Sequence, residues 1–383
     1  MKHILVISFS NLKTDSRVRR QVNVLKKNYR LTVACLEADT TADYNLIILP
    51  KATLTLARKV KLATLLGLTL FKRAYAVQHP YFSLAGKISS PLDLVLANDV
   101  ESLPLAFHIA EQHQCPVVLD AHEYAPRHFE DKLVWRMFFQ PLNMYLCRKY
   151  IPRVKSMMTI GKGLANEYEK NFHIKPVVIT NANHFHNLTP FPVKQNSIRL
   201  VHHGIATPSR KLELMIEMMN YLDERFTLDM YLLLSSHGSS KTKNYPDHLK
   251  ALASKNSRVR ILDPIKSELI VTKINEYDMG VFLIPPINFN YENTLPNKLF
   301  DFIQARLAIA VGPTPEMAEI VNHYNLGVVS EDFSAKSLAD KLNRLTAEDL
   351  TTFKINTAKA AQQLNAEGNA ILLMEVIERS FNQ

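Results

Sequence analysis

The chain has 383 residues, long enough for two domains, and 47% of them are hydrophobic, as ordinary globular cores require. Its three cysteines, Cys35, Cys115 and Cys147, are scattered, odd in number and without metal-ligand spacing, which excludes a disulfide scaffold or a zinc module and suggests a reducing compartment. The net charge of +10 is uneven: residues 1–197 hold 26 Lys and Arg against 14 Asp and Glu, whereas residues 198–383 hold 20 against 22.

That asymmetry predicts a polyanionic partner for the first half, either a membrane surface or nucleic acid. It is sharpest over 44–92, which has no acid and seven bases, Lys51, Arg58, Lys59, Lys61, Lys72, Arg73 and Lys87. Within it, the apolar run Leu62–Phe71 is too short to span a bilayer and reads as an interfacial helix or a buried one with a basic rim. The opening Met1–Ser10 reads as a first buried strand; its apolar run is too short for a secretory signal and no small-residue cleavage site follows. A cytoplasmic protein, at most peripheral on the inner face of the plasma membrane, is the expectation.

In chain order, His3–Phe9 reads as a strand, Arg17–Asn28 as a helix and Leu31–Leu36 as a strand. Leu94–Ala97, the helix Ser102–His113 and Pro116–Leu119 follow, then Met157–Ile160, the helix Gly163–Phe172 and Pro176–Ile179. Residues 186–197, with two prolines and no periodicity, read as a linker. The rhythm restarts with Ile198–His202, the helix Leu212–Asp223 and Leu228–Leu234. Val259–Leu262, Met279–Leu283, Ala308–Val311 and Gly327–Val329 are further strands. This alternation predicts an α/β protein of two tandem, doubly wound, Rossmann-like domains, 1–185 and 198–354. The last stretch, 355–383, reads as helical.

Ligands of open parallel sheets sit beyond the carboxyl ends of the strands. The polar residues that follow each strand are therefore the candidates, among them Ser8–Asp15, Asn98–Glu101, Asp120–Glu123, His203–Lys211, Ser235–His237, Pro285–Lys298 and Gly312–Glu316. His122 and Glu123, in Asp120-Ala-His-Glu-Tyr124, follow a buried strand directly, where a histidine is a donor or acceptor near neutral pH. Asp15 or Ser16 is placed to cap the first helix, with Arg17 at its start facing the mouth of the first sheet. Gly204 allows a tight turn and close ligand approach. Arg210 and Lys211 follow it at a helix start, where cations are unfavourable unless an anion binds. The richest segment is Tyr291–Val311, a polar loop, a helix and a buried strand. Lys298 stands at the helix start and Asp301 one turn in, a combination that suits the phosphates and ribose of a nucleotide diphosphate.

These segments resemble the motifs of family-4-type retaining glycosyltransferases (glycosyl transferases group 1) of the GT-B fold, from Met1 to about Leu345 and most specifically at 120–124 and 290–316. Asp301 matches the second acid of that family's Glu-x7-Glu. Asn293 stands at the first position with Glu292 beside it, and Leu295-Pro296-Asn297-Lys298 resembles a Pro-Asn-Lys variant subgroup. Two departures stand out: the first loop, Ser8-Phe-Ser-Asn-Leu-Lys-Thr14, lacks paired glycines, and Arg306 replaces a glycine at the turn after the helix.

The resemblance implies two domains facing across a cleft, with 355–383 packing back on the first. The second would hold a nucleotide-diphosphate sugar through Gly204, Lys211, Glu292, Asn293, Leu295, Pro296, Asn297, Asp301 and Glu316. The first would hold a saccharide or lipid-linked acceptor beside Asp15, Arg17 and Glu123. His122, Arg210 and Lys298 would serve catalysis, with retention, in cell-surface polysaccharide synthesis. No cofactor or metal is expected; no Asp-x-Asp pair is present, and Arg, Lys and helix ends would meet the diphosphate charge. An anionic membrane is the expected partner of 44–92, and nucleic acid is not. Two alternatives remain open: a nucleotide-sugar 2-epimerase of the same fold, and a basic nucleic-acid-binding protein, although no such module is visible.

Overall fold

The computed structural model describes residues 1–39, 43–51, 55–234 and 240–381. By contact they form two compact units, Met1–Thr180 with Asn288–Asn290 and Asn369–Gln383, and Asn181–Ile287 with Tyr291–Gly368. The strand-end loop Ser235–His237 lies outside the described residues.

In the first unit, β1 (His3–Ile7), β2 (Arg30–Cys35), β3 (Asn45–Ile48), β4 (Leu94–Asn98), β5 (Val117–Ala121), β6 (Ser156–Thr159) and β7 (Val177–Val178) form one parallel sheet in the order β3-β2-β1-β4-β5-β6-β7. The order reverses between β1 and β4, where Ile4 pairs with Leu94 and Ile7 with Ala97. Every residue of β1 is buried, with Leu5 and Ile7 in one apolar cluster and Ile4 and Val6 in another. That alternation is what a parallel sheet covered on both faces demands.

The second unit repeats the plan. β8 (Ile198–Ala206), β9 (Phe226–Leu234), β10 (Val259–Leu262), β11 (Met279–Phe282), β12 (Ala308–Val311) and β13 (Gly327–Val329) run parallel in the order β10-β9-β8-β11-β12-β13. Ala308 and Ala310 face one core, Ile309 and Val311 the other.

Four features differ from the expectation. The strand β3 and the 18-residue helix Leu133–Tyr150 have no counterpart in the sequence reading. The 62–71 segment is split: one helix covers Leu56–Gly67, Thr69 takes φ +55°, and a second covers Phe71–Gln78. The helix Ala347–Ala360 belongs to the second unit, so the return to the first is confined to Asn369–Gln383, not 355–383. There Leu373, Val376 and Ile377 join the core of Val18, Val22 and Leu31, and Asn369 Nδ2 donates to Thr180 O at 2.9 Å.

The departure at Arg306 has a physical account. The residue sits at φ +62°, the left-handed conformation that glycine adopts without strain. Its side chain is almost wholly buried and satisfies the carbonyls that the turn leaves open. Nη1 donates to Ile303 O at 3.1 Å and Gln304 O at 2.8 Å, Nε to Leu188 O at 3.2 Å, and Nη2 to His186 O. The guanidinium thus staples 186–188 to the end of the helix Asn297–Gln304. Arg306→Ala keeps the backbone strain and loses every bond, so urea unfolding should show a loss of about 2–4 kcal/mol. Arg306→Gly relieves the strain and should recover about 1 kcal/mol of that loss.

Candidate functional site

Each unit gathers its polar residues at the carboxyl ends of its strands. In the first, Asp120 is fully buried in β5 and anchors the group. Arg17 grips it with two parallel bonds, Nε to Oδ2 at 2.7 Å and Nη2 to Oδ1 at 2.6 Å, and sends Nη1 to Ile179 O at 2.7 Å. Gln21, one turn further along the first helix, Ser16–Leu25, donates to Asp120 as well. Arg17 therefore turns inward, away from the mouth of the sheet where the sequence reading put it. Asp15 caps that helix, its Oδ1 accepting from Val18 N at 3.1 Å.

His122 lies between two carboxylates. Its Nε2 is 3.3 Å from Asp120 Oδ2, its Nδ1 is 3.4 Å from Asp99 Oδ2, and its backbone N donates to Asp99 Oδ1 at 2.9 Å. Asp99 holds this place at φ +62°, with its own N bonded to Asp120 O. Such strain in a non-glycine residue marks a position fixed by its surroundings. Burial opposes a charge on His122, but Asp99 and Asp120 outweigh it and lift the pKa to about 9. Burial likewise opposes ionised Asp120, yet the Arg17 guanidinium and His122 hold its carboxyl well below the usual range. The result is a fixed imidazolium at the strand ends. Glu123, next in the chain, is half exposed and pairs with His128 Nε2 at 2.6 Å.

In the second unit β8 runs past its expected end to Ala206, which puts His202 and His203 inside the strand. His202 Nδ1 donates to Val281 O at 2.9 Å, leaving Nε2 as an acceptor 3.5 Å from Lys298 Nζ. Lys298, second residue of the helix Asn297–Gln304, is 6% exposed, and its ammonium lies 3.8 Å from the centre of the Phe282 ring. Burial, then Arg210, push its pKa well below the ordinary lysine value, and Asp301 only partly offsets them. Gly204, at φ +134°, lets both cations approach its Cα closely. A Cβ there would sit 3.3 Å from Lys298 Nζ and 3.4 Å from Arg210 Nη1. Arg210 closes a short turn, Pro208–Arg210, and donates to Ile205 O at 3.1 Å.

Other expected residues fall into two groups. Asp301 is almost fully buried, accepting from Asn183 Nδ2 at 3.0 Å and lying 3.5 Å from His203 Nε2. Burial and the two cations keep His203 neutral, its pKa lowered to about 3. Asn293 and Leu295 are buried, and so is Glu316, in the first turn of the helix Pro315–His323. The preceding Thr314 has a buried hydroxyl with no hydrogen-bond partner. By contrast Glu292 and Asn297 are exposed, Pro296 is half-buried ahead of the helix, and Lys211 points to Glu213 at 3.8 Å instead of joining Arg210. Asp99, Asn183 and His203 lie in stretches that follow strands in the sequence and are candidates by that place alone, without an assigned role; His202 falls inside an expected strand, where nothing flags it. Among the described residues no group of three or more His, Cys, Asp and Glu could hold a metal ion.

A histidine with a raised pKa stabilises the fold while protonated. The contribution of His122 is complete below the unfolded value of about 6.5 and is lost as pH rises through about 9. Unfolding free energy should fall by up to about 3 kcal/mol over that window, and His122→Gln should flatten the slope in urea titrations at pH 6–9.5.

No protein-family model matches the sequence, and no curated protein does. Solved structures match along the whole chain. HepE from Anabaena, solved with UDP and glucose, aligns with TM-score 0.68 and 13% identity over 99% of this chain and 100% of that one. Sucrose-phosphate synthase from Thermosynechococcus elongatus gives 0.74 and 12% over 100% and 99%. A glycosyltransferase from Rickettsia africae gives 0.71 and 13% over the same shares. At these identities the likeness is one of architecture, and the chain has the GT-B fold, two Rossmann-like α/β units in tandem.

Proposed function

We propose that the protein is a glycosyltransferase that takes a sugar from a nucleotide diphosphate without a metal ion. The observation that carries this reading is the convergence of Lys298 Nζ and Arg210 Nη1 over Gly204, where a Cβ would crowd both. Two cations this close, one of them buried, repel each other; a diphosphate set between them removes that repulsion and gains charge-assisted bonds. The negative charge that grows on the leaving diphosphate strengthens the same contacts, which is how the pair would lower the barrier. Asp301 is the proposed ribose ligand, with Asn183 and His203 fixing its carboxylate. Glu316 and the unpartnered Thr314 hydroxyl supply further polar contacts on the donor side. UDP-bound relatives in fold, HepE among them, make UDP-sugars the first donors to test.

On the first unit we assign the acceptor to the strand ends around Asp15 and Glu123. The His122 imidazolium, whose two ring nitrogens face Asp99 and Asp120, fixes the partly exposed Asp99 carboxylate to accept from a sugar hydroxyl, and Arg17 acts through Asp120 instead of touching substrate. In the transfer the bond from the anomeric carbon to the diphosphate oxygen breaks and a bond to the acceptor hydroxyl oxygen forms. With retention, the acceptor proton passes to the departing phosphate. A saccharide or lipid-linked saccharide of cell-surface polysaccharide synthesis is the acceptor class this reading favours, at an anionic membrane reached through 44–92.

Thermal shift against UDP, GDP, ADP and CMP sugars identifies the donor, because a ligand of the native state raises its stability. Arg210→Ala and Lys298→Ala should each weaken donor binding roughly 30- to 100-fold and lower turnover at least as much. Unchanged donor affinity and turnover in the double variant would refute the assignment. Conversion of the sugar nucleotide without acceptor would favour an epimerase.

A further inference from the structure

The helix Leu133–Tyr150 is apolar on two faces, and the fold buries only one. Leu142, Leu146 and Cys147 enter the core. On the other side Leu133, Val134 and Met137 are 62%, 65% and 61% exposed. With Pro141, Met144 and Arg148 they occupy an arc of about 100° at the α-helical spacing. A surface helix with an exposed apolar arc of this size marks an interaction face.

Charge names that partner. Residues 132–166 contain seven bases and no acid, a second run like 44–92. The two runs meet in the folded unit: the rings of Phe71 and Tyr145 lie 5.3 Å apart. Around them Phe71, Pro141, Met144, Tyr145, Arg148 and Lys149 line a groove of about 540 Å³. Its floor is apolar and its edge cationic, with Lys149 Nζ bonded to Tyr145 Oη at 3.1 Å. The turn that leads into Phe71 adds Leu68, 62% exposed, and Leu70, followed by Lys72 and Arg73. The helices Leu56–Gly67, Phe71–Gln78 and Leu133–Tyr150 together carry eight cations and no carboxylate. Exposed aliphatic side chains, aromatic rings at a groove and a rim of Lys and Arg are the parts of an interfacial membrane surface. No helix among the described residues is long and apolar enough to cross a membrane, so the contact is one of lying on the bilayer.

We infer that Leu133–Tyr150 and the Leu68–Arg73 turn together form a docking face for an anionic lipid bilayer, with the Phe71–Tyr145 groove taking a lipid phosphate against Arg148 and Lys149. This deepens the membrane part of the proposed function, adding the half of the face that lies outside 44–92, and it does not depend on the donor chemistry.

Flotation of the full chain with vesicles of phosphatidylglycerol and phosphatidylcholine, against vesicles of phosphatidylcholine alone, tests it. The protein should float with the anionic vesicles only, and less as salt rises. Val134→Glu with Met137→Glu, both at exposed positions, should cut partitioning about tenfold or more, as should Arg148→Glu with Lys149→Glu. No flotation at low salt, or undiminished flotation of both variants, would overturn the inference. So would a concentration-dependent dimer that the Val134/Met137 variant disperses while vesicles are ignored; the face would then belong to a second copy. Donor-induced thermal shift should be unchanged in these variants. Flotation lost with that shift intact bears on the docking face alone, and shift lost in Arg210→Ala with flotation intact bears on the donor site alone.

Discussion

Burying charge is expensive, and the cost is met differently in the two units. In the second, Lys298 is kept from water beside another cation, with an imidazole acceptor and an aromatic face for company. The nearest carboxylate, Asp301, is already shared with Asn183 and His203. Such a cluster is left with excess positive charge, and the glycine at position 204 is what lets the two cations come so close. The strand geometry follows from the same demand. β8 extends nine residues so that two histidines and the glycine come under the helix that carries Lys298.

In the first unit the charges are complete in themselves. Arg17, Asp120, His122 and Asp99 alternate in sign, so each ion has an opposite neighbour and the chain can hold an imidazolium where solvent is scarce. In a closed network of this kind both imidazole nitrogens face carboxylates, so the group holds its geometry without changing protonation near neutral pH. The two sets of strand ends therefore differ in character, one bringing cations together and the other pairing its charges.

Much of the fold was legible in the chain because apolar runs of four to nine residues, alternating with helical spacing, leave few arrangements other than parallel sheets. β10, β12 and β13 fell where the pattern put them. β3 did not, although Leu46, Ile47 and Ile48 are apolar: Asn45–Ile48 is a four-residue edge strand whose side chains are half-buried or exposed, too short to show a pattern. The helix Leu133–Tyr150 was obscured by Pro141 and by apolar residues on both faces, which blur the 3.6-residue period. In the site, Gly204, Arg210 and Lys298 were readable because each is an unusual residue for its local position. Lys211 was not separable from Arg210 by sequence; its φ of +51° turns it to Glu213, and no adjacent residue announces that. Of the β8 histidines, His203 was a candidate by its place after the expected strand, whereas His202 gave no signal because it falls inside that strand. Arg17 was misplaced for a related reason: its partner Asp120 lies 103 residues away, beyond any local pattern.

The terminal helix has a consequence for biogenesis. Leu373, Val376 and Ile377 complete the core laid down by Val18, Val22 and Leu31, so the amino-terminal half must leave the ribosome with an apolar cleft still open. It waits while roughly two hundred further residues are made, on the order of ten to forty seconds at ordinary synthesis rates. During that interval the apolar cleft of the nascent half stays exposed, until the helix Ala366–Phe381 is made and can cover it.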